Sequence, residues 1–222
     1  MAALLAVAVL VGCAGRVPPP AGAPVADPAA VAQHIAAATL PASPRQVTFS
    51  WTLNEAGSKL HGRGVARFVA PDHARLDLFG PRGESYLAAA LVDGEFRLPQ
   101  GASARAPLPS PALLWAAVGV VQTPADAALE GATSDDSVTV LRYRTPGGEE
   151  FRYRIHAGPE PRLEQLERIG GSGVLETVWL DRDPRGRLQR TRYRDWSAYR
   201  DLTLDVESIN NVESFPGSIW RP

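Results

Sequence analysis

The chain has 222 residues, 45% hydrophobic and 21% charged, with a formal net charge of −1. This is the composition of a folded body, and the near-neutral balance removes any broad pull toward nucleic acid or an acidic membrane surface. A single cysteine, Cys13, excludes an internal disulfide and a cysteine-built zinc site, so the fold must stand on its core. The cations are lopsided, 22 Arg against Lys59 alone. With Ala, Gly and Pro also abundant, that reads as GC-rich coding.

Residues 1–12, "MAALLAVAVLVG", are apolar throughout. They are too short to span a bilayer core, which takes about 20 residues, and they match the apolar region of a secretory signal. The run ends in Leu10-Val11-Gly12-Cys13, which resembles the lipobox of bacterial lipoproteins. That resemblance implies a diacylglyceryl group on the Cys13 sulfur, cleavage before Cys13 and a further acyl chain on its amine. Two or three acyl chains anchor firmly where one binds marginally. No Lys or Arg precedes the apolar run, a departure from the usual signal. Position 14 is Ala where enterobacterial inner-membrane retention uses Asp, so the expected address is the outer membrane, facing the periplasm.

Residues 13–26 read as a lipidated Pro-rich tether that forms no core, and residues 27–222 as one folded domain. Asp27 is placed to cap a helix with Pro28 in its first turn. Val31, Ile35 and Ala38 would share its buried face, and Leu40-Pro41 would end it.

From Gln46 the hydrophobic period becomes two. "QVTFSWTL", "KLHGRGVARFVA", "HARLDLF", "ESYLAAALV" and "EFRL" read as strands, with Gly62 and Gly64 expected to bend the second. "GPRG" at 80–83 and Asp93-Gly94 are turns. "PLPSPALLWAAVGV" interrupts with a short helix capped at Ser110, carrying Leu113, Leu114, Trp115 and Val118, and "PADAALEG" would add one more helical turn. Six more strands follow from "SVTVLRYR" to "LTLDVESI", for about ten or eleven in all.

A meander of this length must curl, close or split. Its inner-face candidates are Phe49, Trp51, Leu53, Leu76, Leu78, Leu87, Leu91, Phe96, Leu98, Phe151, Ile155, Trp179, Leu202, Leu204 and Val206. Such residues suit a solid core or an apolar pocket equally, and for most of them taken singly plain core is the base expectation.

Over about Gln46 to Phe215 the sequence resembles the outer-membrane lipoprotein receptors of the LolB type and the wider LolA/LolB/LppX superfamily. "HARLDLFGPRGESYLAAAL" is similar to a strand, Pro-x-Gly turn and strand of LolB, and "PLPSPALLWAAVGV" to the helix that follows there. "RYRDWSAYRDLTLDVESINNVESF" is similar to the late strand pair and Phe-containing tail of the superfamily. The resemblance implies a mainly β fold: an unclosed antiparallel barrel of about eleven strands, with an N-terminal helix and a short inserted helix as lid. It implies a monomer with an acyl-binding cavity, for which Phe49, Trp51, Leu53, Leu76, Leu78, Leu87, Leu91, Phe96, Leu113, Trp115, Val118, Phe151, Ile155 and Trp179 are the expected lining, and a periplasmic carrier protein as partner. It also implies a membrane-facing turn at Pro81-Arg82-Gly83. LolB carries an exposed Leu in that turn; here Arg82 takes its place, suited to solvent or to phosphate head groups.

No G-x-S-x-G, H-E-x-x-H or phosphate-binding Walker loop is present. His34, His61, His73 and His156 lack ligand spacing, and no cofactor or metal is expected. "DRDPRG" at 181–186 partly mimics a calcium loop, with Arg185 at a ligand position, and reads as a hairpin turn. "RYR" occurs at 142–144, 152–154 and 192–194; period two puts the arginines on one face and the tyrosine on the other. Those arginines would either meet an anionic surface or pair with Glu149, Glu150, Glu164 and Glu167. A lipid-binding envelope lipoprotein is the leading reading. The alternative is a non-enzymatic structural or complex-forming envelope lipoprotein with a solid core and an Arg-rich partner face. An enzyme acting on envelope polymers has no motif behind it.

Overall fold

The computed structural model describes residues 22–100 and 108–222. Cys13 and the apolar run before it lie outside the described residues. The boundary read at residue 12 lies outside them as well.

Among the described residues thirteen strands form one antiparallel sheet: β1 (Ala23–Pro24), β2 (Arg45–Glu55), β3 (Ser58–Val69), β4 (His73–Phe79), β5 (Ser85–Val92), β6 (Glu95–Arg97), β7 (Ala128–Ser134), β8 (Val138–Arg144), β9 (Glu150–His156), β10 (Arg162–Gly170), β11 (Gly173–Arg182), β12 (Leu188–Asp195) and β13 (Arg200–Asn211). Their order across the sheet is β1-β7-β8-β9-β10-β11-β12-β13-β2-β3-β4-β5-β6. The C-terminal strand β13 thus joins the two meanders by pairing with β2, from Arg200↔Glu55 to Asn211↔Arg45. β1 and β6 are the two edges and do not pair with each other, so the sheet is mainly β, curled and unclosed, as expected.

Turn chemistry sets the registers. Ala56-Gly57 and Asp93-Gly94 each place two consecutive residues at positive φ, the two-residue hairpin geometry that matches strand twist. Gly62 and Gly64 lie where β3 pairs with β2 without a register shift. They make room for their neighbours. A Cβ at Gly64 would collide with the Phe49 ring, and one at Gly62 with the Phe79 carbonyl.

Helix α1 (Pro28–Thr39) begins as read: the Asp27 carboxylate accepts from the Ala30 N–H at 2.9 Å, with Pro28 in the first turn. Its buried stripe is Ala32 and Ile35, with Val31 packed beside them, and Ala38 is exposed. The stripe runs on to Thr39, whose Oγ1 accepts from the Val121 N–H at 3.0 Å.

Two segments differ from expectation. The end of the Pro-rich tether enters the sheet: β1 pairs with Thr133 and Ser134, and the Val25 N–H donates to the Ala132 carbonyl at 3.0 Å. Pro24 is tolerated because an edge strand can lack one donor. After Pro124 there is a single turn, with Asp126 at positive φ. Strand β7 then runs where another helical turn was read, its backbone groups satisfied by β8.

The buried side chains form two clusters. One lies under β8–β12 and α1 and includes Leu141, Tyr143, Phe151, Tyr153, Ile155, Leu163, Leu166 and Val178. The other lies under β2–β5 and includes Val47, Phe49, Trp51, Leu53, Phe68, Leu76, Leu78, Leu91 and Trp115. Leu202 and Val206 of β13 pack against both.

Candidate functional site

Between the two clusters lies an apolar cleft enclosing about 890 Å³, part of it open to solvent. Little of that space is wide enough for a water molecule, so the cleft is a narrow slit. Its walls are the inward residues of β2 (Val47, Phe49, Leu53), β3 (Ala66, Phe68), β4 (Leu76, Leu78) and β5 (Tyr86, Leu87). Facing them are Val178 of β11, Leu188, Thr191 and Tyr193 of β12, and Arg200, Leu202, Leu204 and Val206 of β13. Pro109 and Leu113, Leu114, Ala117 and Val118 form the roof.

The roof is helix α2 (Pro111–Ala116) and the segment after it. Pro111 fixes the first turn, and Ser110 holds the N-cap position. The Ser110 hydroxyl caps nothing, however, and is buried without a hydrogen-bond partner. Ala112 to Ala116 are all buried, as a helix apolar on every side must be. Polar bonds pin the roof to the sheet. Thr191 Oγ1 donates to the Ala117 carbonyl at 2.7 Å, and the Tyr153 hydroxyl donates to the Gln122 carbonyl. Gln122 Nε2 in turn donates to the Pro71 carbonyl at 2.9 Å.

One end of the cleft is polar and self-paired. The Tyr193 hydroxyl donates to the buried Glu176 carboxylate, which also binds Arg168 at 2.6 Å. Burial, then the Glu176 carboxylate, pushes the Tyr193 phenol well above its ordinary pKa. Arg200 binds Glu55, and Asp195 lies 3.8 Å away.

Of the residues expected to line a cavity, Phe49, Leu53, Leu76, Leu78, Leu87, Leu113 and Val118 line the cleft. Others pack solid core instead. Trp51 is 2% exposed, its indole N–H shared between the carbonyls of Arg63 (3.0 Å) and Phe79 (3.1 Å). Trp115 is fully buried beside Phe68 at 5.4 Å between ring centroids. Leu91 belongs to the same cluster, with Phe96 packed on it, and Phe151 and Ile155 fill the opposite cluster. Trp179 is on the outer face, with the Arg192 guanidinium over its ring at 5.6 Å. The inner positions of β11 go to Glu176, Val178 and Leu180, and a buried carboxylate is tolerable there only because Arg168 and Tyr193 satisfy it.

Outside the expected set, Val47, Ala66, Phe68, Tyr86, Pro109, Leu114, Ala117, Val178, Leu188, Thr191, Tyr193 and Arg200 also line the cleft, as do the inner-face candidates Leu202, Leu204 and Val206. For Tyr193 the signal was available, since the RYR period already turned it inward. Pro81, Arg82 and Gly83 are exposed, and the turn closes by Gly83 N–H donating to the Gly80 carbonyl at 3.0 Å.

On the outer face every RYR arginine but Arg142, whose Nε is buried without a hydrogen-bond partner, meets an acid among the described residues. Arg144 binds Glu130 and Glu150, Arg152 binds Glu150 at 2.9 Å, and Arg154 binds Glu164 at 3.3 Å. Arg192 binds Asp181 at 3.4 Å and Arg194 binds Asp201. Tyr143, Tyr153 and Tyr193 are buried. "DRDPRG" is a hairpin turn: Asp183 accepts from the Arg185 and Arg187 N–H groups, both at 2.9 Å, and these bonds hold its carboxyl below the usual range. Asp72, His73 and Asp93 place ligand atoms within 4.8 Å of one another, but His73 is engaged by Asp72 at 2.6 Å and by the Trp220 ring. No helix among the described residues is long and apolar enough to cross a membrane.

No protein-family model and no curated protein matches the chain. Among solved structures, it is similar to a LolA superfamily protein from Nitrosomonas europaea: 13% identity, 85% of this chain against 96% of that one, TM-score 0.57. It is also similar to an outer membrane lipoprotein-sorting protein domain from Vibrio parahaemolyticus, with 12% identity, coverage of 86% and 94%, and TM-score 0.60. A DUF1329 family protein from Desulfovibrio piger follows at 10% identity, coverage of 87% and 97%, and TM-score 0.51. At these identities the likeness is one of fold: the chain has the open, curled sheet of LolA-like proteins.

Proposed function

We propose that this chain is a lipid-anchored protein of the bacterial outer membrane, facing the periplasm, that accepts an acyl chain of a lipid or lipoprotein in the cleft and passes it on without catalysing a reaction. The observation that carries the reading is the apolar cleft roofed by α2, its walls almost free of polar atoms except at one end. The LolA-like fold supports it, as does the lipobox ending at Cys13. Burying a chain of about sixteen carbons is worth on the order of 10 kcal/mol, so transfer runs downhill between sites of rising affinity. The narrowness of the slit requires α2 and the segment after it to give way as a chain enters.

The test is mass spectrometry of lipid co-purifying with the chain expressed without residues 1–21. A bound acyl lipid is the expected result. A lipid-free protein that binds no fluorescent fatty acid would leave the alternative, a complex-forming envelope lipoprotein with a solid core. The ion pairing of the outer arginines already weighs against a free Arg-rich partner face. Anchoring is tested separately by labelling with a fatty-acid analogue, which Cys13→Ser should abolish.

A further inference from the structure

At the rim where β11 turns into β12, a second recess encloses about 630 Å³, part of it open to solvent. Unlike the cleft it is polar, and its floor holds two arginines. Arg182 pairs in register with Leu188, a cleft residue. Cross-strand partners share a face, so Arg182 stands on the inner face beside the end of the cleft. It also touches the turn after α2: a Cβ at Gly119 would lie 2.7 Å from Arg182 Nη2. Arg162 occupies the space a Cβ at Gly186 would fill. Both glycines have positive φ, so the two turns leave open the volume that the guanidinium groups take.

Glu164 and Asp183 line the recess too, but neither forms an ion pair with Arg182. Among the described residues no carboxylate lies within ion-pairing distance of Arg182; its guanidinium donates to the Gly186 carbonyl at 3.1 Å, and its Nε is buried without a partner. Arg162 pairs with Glu160, whose side chain is 82% exposed, a contact of little worth. The remaining acids are committed. Glu164 binds Arg154 and faces His156 at 3.6 Å, and Asp183 is taken up by its own turn and by Arg187. Burial, and then the neighbouring Arg162, lower the proton affinity of Arg182, with Glu164 opposing them; an anion placed between the two guanidinium groups would offset the cost that is left.

We propose that Arg182 and Arg162 form a seat for a phosphate group at the rim beside the apolar cleft. The planar fork of a guanidinium matches phosphate oxygens two at a time. The group comes either from a lipid head whose chain enters the cleft or from free phosphate. The first source rests on the acyl-binding reading above; the second does not.

The experiment titrates the full chain, carrying Cys13→Ser so that no attached acyl group competes, by calorimetry. The probes are inorganic phosphate, dihexanoyl phosphatidic acid and dihexanoylglycerol. Arg162→Gln, at a side chain 36% exposed, keeps the fold, and a melting curve checks this for Arg182→Gln. Loss of a charge-assisted contact weakens binding about tenfold or more. The seat stands with free phosphate as its ligand if inorganic phosphate binds and Arg162→Gln weakens it by that factor. It stands as a head-group seat if only phosphatidic acid shows that loss while dihexanoylglycerol binds equally to both proteins. Phosphate binding without any lipid binding keeps the seat and removes the acyl reading. Binding of phosphate and phosphatidic acid that is absent, or unchanged by Arg162→Gln, overturns the seat, and dihexanoylglycerol binding would then preserve the cleft alone.

Discussion

The two halves of the sheet carry the same alternating pattern and end in different interiors. Under β8–β10 the inner face is closed: Tyr143 and Tyr153 meet edge to face at 5.8 Å between centroids, and α1 packs alongside. No residue of β8, β9 or β10 lines the cleft, whereas β2 to β5 supply nine lining residues. The tall tyrosines reach across to the segment after α2 and fill the space with ring and hydrogen bond. The cleft-lining side chains of β2 to β5, mostly aliphatic but with Phe49, Phe68 and Tyr86 among them, leave a gap to the opposite wall. Alternation decides which side chains point inward; their reach and polar ends decide whether they meet.

Truncation separates the halves most sharply. Phe151→Ala should cost about 3–5 kcal/mol, the penalty of a cavity in a packed core, and leave lipid affinity per folded molecule unchanged. Leu78→Ala, on the cleft wall, should cost less than about 2 kcal/mol, since a side chain facing a gap already lacks part of its contacts. It should nevertheless weaken binding of a fluorescent fatty acid several-fold. Urea unfolding beside lipid titration reads both, and equal stability losses would show that the cleft is packed as tightly as the core.

Alkali gives the next distinction. Tyr143 and Tyr153 have raised pKa values through burial, and Tyr193 through burial and Glu176. A folded-state pKa above the unfolded value of about 10 gives stability that is complete below that pH and lost as pH climbs past it. Tyr86, the tyrosine of the cleft half, is also raised but 39% exposed, so solvent screens it. Stability should therefore fall above about pH 10, and Tyr153→Phe should flatten that fall while costing about 1 kcal/mol at neutral pH for the lost bond to Gln122. Denaturant midpoints at several pH values measure it.

The smallest effect expected is at the exposed turn. Arg82→Glu should leave stability unchanged and weaken binding to anionic vesicles, less so at high salt. Co-sedimentation at two salt concentrations tests this. Identical binding by both proteins would reduce the turn to a connector.

Much of the sheet was legible because the period is strict where one face is wet, as in "QVTFSWTL" and the three RYR sets. β7 was not. "ALEGATS" alternates weakly, and the Pro and Asp before it mimic a helix start although Asp126 takes a left-handed conformation. β1 hid in a tether, since two residues carry no period. Trp179 was placed inward because hydrophobicity favours tryptophan over glutamate there. The register shift between Arg168 and Ile169, and the partners Arg168 and Tyr193, lie on other strands and appear only in the fold. The cleft itself was legible only as a choice between core and cavity, because volume between side chains is not a property of any one strand.

A sheet that does not close keeps two strands with outward-facing backbone groups, which invite another chain to extend it. Here those strands have two and three residues. One carries Pro24, and the other exposes the charges of Glu95 and Arg97. The molecule thereby has the clearance a cleft needs with little template for edge-to-edge aggregation. A longer, alternating β6 should convert it into a self-associating protein without touching the cleft.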